Sequence, residues 1–232
     1  MVDALENIHL FTINVFPNEI EDKEHIDVNR FFHALDNTTK HVMGGIYSMS
    51  GCRNSVALAE EVAGGADALR KEPFVSFITL VISPFKIDQD YGEITCYLAR
   101  EGLPVVVPTE PICGTTAPIT LAGNVLTHVA ETLGGIALAQ CVNKGAPGIC
   151  GSVGSITNLR TMDHLSGPIE WAMINAAVSQ MAQHFALPLY SIAGTSDAKQ
   201  GFAPGSGSTF PRSATLRGVE PADDRHRPRG LD

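Results

Sequence analysis

Residues 144–151 read Lys144-Gly145-Ala146-Pro147-Gly148-Ile149-Cys150-Gly151: the end of a helix, a glycine, a proline, then an apolar strand. The order has a physical reason. Glycine past a helix end takes up the left-handed cap conformation without a Cβ clash. Proline stops the helix and opens a strand without having to donate a ladder hydrogen bond from its own nitrogen. The phrase recurs as Lys71-Glu72-Pro73 before FVSFITLVI, as Glu101-Gly102-Leu103-Pro104 before VVVP, and as Ala186-Leu187-Pro188 before LYSIAG. The prolines stand 31, 43 and 41 residues apart, and one βα unit needs about 30 residues or more. The apolar runs are continuous rather than alternating, as expected of parallel strands covered on both faces.

Working outward, residues 10–15 and 41–47 read as two further strands, with a helix over 28–35 between them. Helices are predicted over 54–69 and 89–100. The helix after VVVP is expected to be capped by Thr116, with Pro118 in its first turn and a row of Leu121, Val125, Val129 and Leu133 continued by Ile136 and Gln140. Gly167-Pro168 opens a helix with Ile169, Met173, Ala176, Ala177 and Met181 on one face. Six strands in βα alternation result. A closed barrel needs eight and typically about 250 residues, whereas a doubly wound sheet needs five or six. Spacing alone leaves both open.

With 232 residues, 44% of them hydrophobic, the chain can bury one sizeable core. A net charge of −9 with no basic patch argues against nucleic acid or an anionic membrane as partner. Five scattered cysteines without a CxxC pair fit a reducing cytosol. Residues 1–7 are acidic, with no cationic segment leading into an apolar one, so no signal peptide is expected. The apolar stretch 119–142 is interrupted by Asn124, Thr127, His128, Glu131 and Thr132, which argues against a bilayer span. The expectation is a soluble, cytoplasmic protein. From Gly201 on, the sequence is rich in arginine and proline and has no apolar period. Residues 200–232 therefore read either as a disordered tail or as a non-native end, and 1–199 as the folded domain.

In parallel α/β proteins ligands bind at the carboxyl ends of the strands. That rule selects Asn14 to Asn18, Gly44 to Ser48, Thr109 to Thr116, Gly151 to Ser155 and Gly194 to Lys199. Gly151-Ser152-x-Gly154-Ser155 can cradle an anion through backbone N–H groups, or simply turn. Glu110 can act as a base or hold a cationic ammonium, or be a solvated loop acid. Asp197 and Lys199 are a site pair or an exposed ion pair. Cys113, among apolar neighbours, reads as an inert thiol. His41 reads as structural, and Trp171 as a core or interface residue. His128 and His184 lack HExxH spacing, which makes zinc improbable, and no nucleotide-binding glycine motif occurs.

The run Gly114-Thr-Thr-Ala-Pro-Ile-Thr-Leu-Ala-Gly123 resembles the trimethylamine methyltransferase family. So do NVLTHVAETLGGIALA (124–139) with Gln140, Gly145-Ala146-Pro147, Gly151-Ser152, the helix EWAMINAAVSQMAQHF, and residues 187–199 ending in Gly194-Thr195-Ser196-Asp197-Ala198-Lys199. The likeness is collinear and covers roughly residues 5–199. It implies a (β/α)8 barrel of TIM type, here incomplete with about six βα units. It implies transfer of a methyl group from a methylated amine to the cobalt of a corrinoid protein. The corrinoid (cobalamin) belongs to that partner, so no tightly bound cofactor and no metal are expected in this chain. Trimethylamine enzymes of the family carry pyrrolysine where Thr195 stands here, and this departure implies a quaternary amine such as glycine betaine. Candidate residues are Thr195 and Glu110 for catalysis, and Tyr47, Gly114, Gly151, Ser152 and Asp197 for substrate. Two alternatives stay open: a truncated barrel without activity that can pair its edges in a homo-oligomer, and a different barrel enzyme that binds a phosphorylated small molecule at 151–155.

Overall fold

The computed structural model describes residues 2–192. After a short 3-10 turn the elements run β1 (Leu10–Thr12), α1 (Ile26–Asn37), β2 (His41–Gly45), α2 (Met49–Ala63), α3 (Ala66–Lys71), β3 (Val75–Ile78), α4 (Gln89–Glu101), β4 (Val105–Val107), β5 (Ile112–Cys113), α5 (Leu121–Val142), β6 (Gly148–Ser152), β7 (Ser155–Asn158), β8 (Asp163–Leu165), α6 (Ile169–His184) and β9 (Leu189–Ser191). All six strands expected from the sequence are present. They form one curled parallel sheet, half a barrel, in the order β1-β2-β3-β4-β6-β9. Each strand lies beside the next strand of its kind in the chain, as repeated βα units require.

The helix-facing side of the sheet is apolar. Val42, Val75, Phe77, Val105, Val107 and Cys150 join Phe31, Val56, Leu98, Ile136 and Ala182 of the helices in one buried cluster. Phe31 and Phe77 stack with centroids 5.2 Å apart. Each such ring withdraws apolar surface worth roughly 1.5–3 kcal/mol from water. The alternate strand positions Met43, Ser76 and Val106 are also buried, so both sides of the central strands are covered, which is why the apolar runs are unbroken.

Four helix expectations need correcting. The 54–69 helix is two helices: Gly64, at φ 83°, caps α2 and Gly65 opens α3. The cap of α5 is Thr120, whose hydroxyl accepts from Gly123 N. Thr116 instead accepts from Ile112 N at 2.9 Å within the preceding turn. The row Leu121, Val125, Val129 and Leu133 is only half-buried, while the fully buried face of α5 holds Asn124, Thr127, His128, Glu131, Thr132, Gly135, Ile136 and Ala139. In α6 the buried side is Trp171, Ala172, Ile174, Asn175, Val178 and Ala182, while Ile169 and Met173 face outward. By length and composition α5 could span a membrane. Here it packs between α4 and α6 over β4 and β6.

A second sheet, β5-β7-β8, was not foreseen. Strand β5 pairs parallel with β7, and β7 pairs antiparallel with β8. Because β5 follows β4 and β7 follows β6, this small sheet stands at the carboxyl ends of the main strands.

Candidate functional site

The carboxyl ends of β1 and β2 are held by one helix, α1. Arg30 spreads its guanidinium over three carbonyls: Nε donates to Val15 O at 2.8 Å, Nη1 to Gly45 O at 3.0 Å, and Nη2 to Ile13 O at 3.4 Å. Asp27, one turn earlier, accepts from Tyr47 N at 3.0 Å and lies 3.6 Å from Arg30 Nη1. Burial raises the Asp27 carboxyl above its usual range; the Tyr47 amide and Arg30 pull it back. Tyr47 leaves this base with a 55% exposed ring, edge-on to Phe16 at 5.4 Å and under the Arg30 guanidinium at 5.1 Å. Its own burial raises the Tyr91 phenol above the ordinary range, and the neighbouring Tyr47 and Asp27 push it the same way.

The ends of β3, β4 and β6 are held by α5. Its Glu131 carboxylate is buried and accepts from Ser83 Oγ at 2.6 Å, from Phe85 N at 2.8 Å, and from the Thr109 hydroxyl. Asn124 Nδ2 donates to Pro111 O at 2.7 Å. His128 Nε2 lies 3.0 Å from Gly151 O, which Thr132 Oγ1 also approaches at 3.5 Å. A carbonyl only accepts, so His128 carries its proton on Nε2. Burial pulls its pKa down to about 4. Its Nδ1, with Asn124 Oδ1 and Ser155 Oγ, is buried without a hydrogen-bond partner among the described residues. Two of these atoms crowd Gly154, where a Cβ would lie 3.0 Å from Asn124 Oδ1 and 3.0 Å from His128 Nδ1.

The residues singled out from sequence fall into three places. Glu110 and Gly114 are exposed on either side of β5. Glu110 Oε1 meets His164 Nε2 of β8 at 3.0 Å, with the side chains 43% and 41% exposed. Gly114, at φ 87°, touches Leu159 from the β7–β8 turn. Gly151 and Ser152 are buried in β6. The Ser152 hydroxyl donates to Asn175 Oδ1 at 2.6 Å, and Ser155 N donates to Pro111 O. Tyr47 stands apart, on the β2 side. Thr195 and Asp197 lie outside the described residues. Cys113 is buried and its thiol is pushed up by desolvation. His41 pairs with Ser76 at 2.9 Å. A cavity of about 740 Å³ runs along the edge strand β1, among Phe11, Ile13, Arg30 and His33; of the strand-end segments selected from sequence it takes in Asn14, Val15 and Pro17, and it includes none of the candidate catalytic or substrate residues.

Sequence reasoning missed Glu131, His128 and Asn124 as organisers of this region. A signal was present: polar residues at i, i+4 and i+7 of an otherwise apolar helix mark a buried face with polar work to do.

Residues 1–203 match the family model described as trimethylamine methyltransferase (MTTB). The chain is 34% identical over 197 residues to the trimethylamine methyltransferase MttB of Desulfitobacterium hafniense (strain DSM 10664 / DCB-2), covering 85% of this chain and 40% of the relative. It is 29% identical over 202 residues to the glycine betaine methyltransferase of Desulfitobacterium hafniense (strain Y51), covering 86% and 42%. It is 31% identical over 204 residues to the trimethylamine methyltransferase MttB of Methanosarcina barkeri, covering 86% and 40%. The chain thus spans about two fifths of the length of the curated relatives it matches.

Proposed function

The chain belongs to the trimethylamine methyltransferase family, and from that premise we propose that it takes part in moving a methyl group from a quaternary amine, such as a betaine, to the cobalt of a corrinoid protein. The single observation that carries the reaction is the collinear match over residues 1–203. Thr195 carries the choice of donor: it stands where the resemblance places pyrrolysine in the trimethylamine enzymes. A quaternary nitrogen already has a neutral tertiary amine as its leaving group, so it needs no such activation. We take the half barrel as the corresponding part of a (β/α)8 barrel, with its strand ends facing the reaction.

The reduced corrinoid of the partner supplies the nucleophile for the methyl carbon. The work left to this chain is to hold the donor in line and to balance its positive charge. Glu110 at the end of β4 is the carboxylate placed for that charge. The Tyr47 and Phe16 rings at the ends of β2 and β1 offer aromatic faces and edges to methyl groups.

The test mixes the full chain with a reduced corrinoid protein and, separately, glycine betaine, other quaternary amines and trimethylamine. Methylation of the corrinoid is followed by visible absorption. Methylation with a quaternary amine and none with trimethylamine is expected. Methylation from trimethylamine alone would overturn the choice of donor, and none from any amine would overturn the activity.

A further inference from the structure

We infer that α5 is the positioning element of this mouth, with Glu131 and Asn124 setting where Glu110 stands; the inference rests on the role given to Glu110 above. Glu110 has Thr109 before it and Pro111 after it. The Thr109 hydroxyl donates to Glu131 Oε2, and the Pro111 carbonyl accepts from Asn124 Nδ2 at 2.7 Å. Both partners come from the buried face of α5, two turns apart on one stripe. The residue on each side of Glu110 is therefore bonded to a single rigid helix, Thr109 through its hydroxyl and Pro111 through its backbone carbonyl. The side chain is met from a third direction by His164 at 3.0 Å.

The Glu131 carboxylate does more than anchor Thr109. Its other bonds, to Ser83 Oγ and Phe85 N, fix the turn between β3 and α4 against the end of β4. Three donors converge on its two oxygens. A glutamine could offer only one oxygen and would turn an NH2 donor toward the remaining donors. Burying a carboxylate is an expensive way to make packing contacts, and what its bonds order is the geometry of two neighbouring strand ends. His128 and Thr132 act on Gly151 O from the same stripe. Glu131 and Asn124 need not touch substrate; they act through Glu110.

The test uses the full chain and tetramethylammonium chloride as the cation probe, titrated calorimetrically into the unaltered protein, Glu110→Gln, Glu131→Gln and the double variant. Glu110→Gln and Glu131→Gln should each weaken binding about tenfold, the size of one carboxylate–ammonium attraction lost or displaced near a protein surface. The double variant should bind no more weakly than Glu110→Gln alone, because the second change acts through the first. Additive losses, or native affinity in Glu131→Gln, overturn the inference. Amide hydrogen exchange supplies a readout without ligand: Glu131→Gln should speed exchange at 109–116 while leaving Val75–Ile78 protected. Unchanged exchange at 109–116 also overturns it. If the unaltered protein binds no tetramethylammonium, the role given to Glu110 fails, and the exchange result still decides whether α5 positions it. Thr109→Val, which removes one hydroxyl at constant shape, gives the same reading if Glu131→Gln does not fold.

Discussion

Acid should weaken this fold most through the buried side chain of His128. The ring is fully buried on α5, and its Nε2–H is committed to Gly151 O at 3.0 Å. Protonation would put a second proton on Nδ1, a charge with no bonded acceptor there among the described residues. Burial accordingly holds the pKa down to about 4, against 6.5 for an ordinary histidine, with the Gly151 carbonyl and Glu131 opposing it only in part. The folded value lies below the unfolded one, so the unfolded chain takes the proton first. The stability due to His128 is whole above 6.5 and drains away as the pH falls from 6.5 toward 4. At pH 5 the loss from this group is roughly 2 kcal/mol. The measurement is urea unfolding at pH 7 and pH 5 for the native sequence and for His128→Gln, whose amide can still donate to Gly151. His41, pulled down by burial, and Asp27, raised by it, also respond to pH. Both remain in the variant and cancel from the comparison. The native protein should lose about 2 kcal/mol more than the variant between the two pH values. Equal losses, within about 0.5 kcal/mol, would show that His128 is not held neutral in the interior and would refute the reasoning.

Two glycines should respond in opposite directions. Gly151→Ala would set a Cβ 2.3 Å from Pro108 Cα, against backbone that cannot yield, and should cost about 1–3 kcal/mol or more in urea unfolding. Gly134→Ala, exposed on α5 with nothing within 4 Å of its Cβ, should stabilise by about 0.5–1 kcal/mol in the same assay. Arg30→Lys replaces a guanidinium whose three nitrogens each reach a different strand-end carbonyl with a single ammonium nitrogen and should cost about 1–3 kcal/mol; an unchanged midpoint would show that the clamp is replaceable. Alkylation at pH 8, mapped by mass spectrometry, should modify exposed Cys141 first. Cys52 and Cys150, buried and pushed up to about 12 and about 11, should react only on unfolding.

Much of the architecture was legible because its signals are local. The helix–Pro–strand phrase puts stop and strand within a few residues, and the four strands it announces stand where it placed them, as do the two read from the apolar runs upstream. The Gly64-Gly65 break was overlooked inside an apolar helical period, although two adjacent glycines are themselves the local signal. The small sheet was illegible because strands of two to four residues carry no period. The pairing of Glu110 with His164 was illegible because His164 lies 54 residues on and is brought near by β7–β8 pairing.

The sequence by itself determined the βα repeat, the buried strands and the family resemblance, since each depends on residues adjacent in the chain or on one ordered alignment. Only the tertiary structure decided which face of α5 is buried and what that face does. Periodicity ranks residues by hydrophobicity, and so favoured Leu121, Val125, Val129 and Leu133. Burial of Asn124, His128 and Glu131 becomes favourable only when Pro111, Gly151, Ser83, Phe85 and Thr109 arrive as partners. Those partners stand 13 to 48 residues away in the chain, and folding alone brings them together.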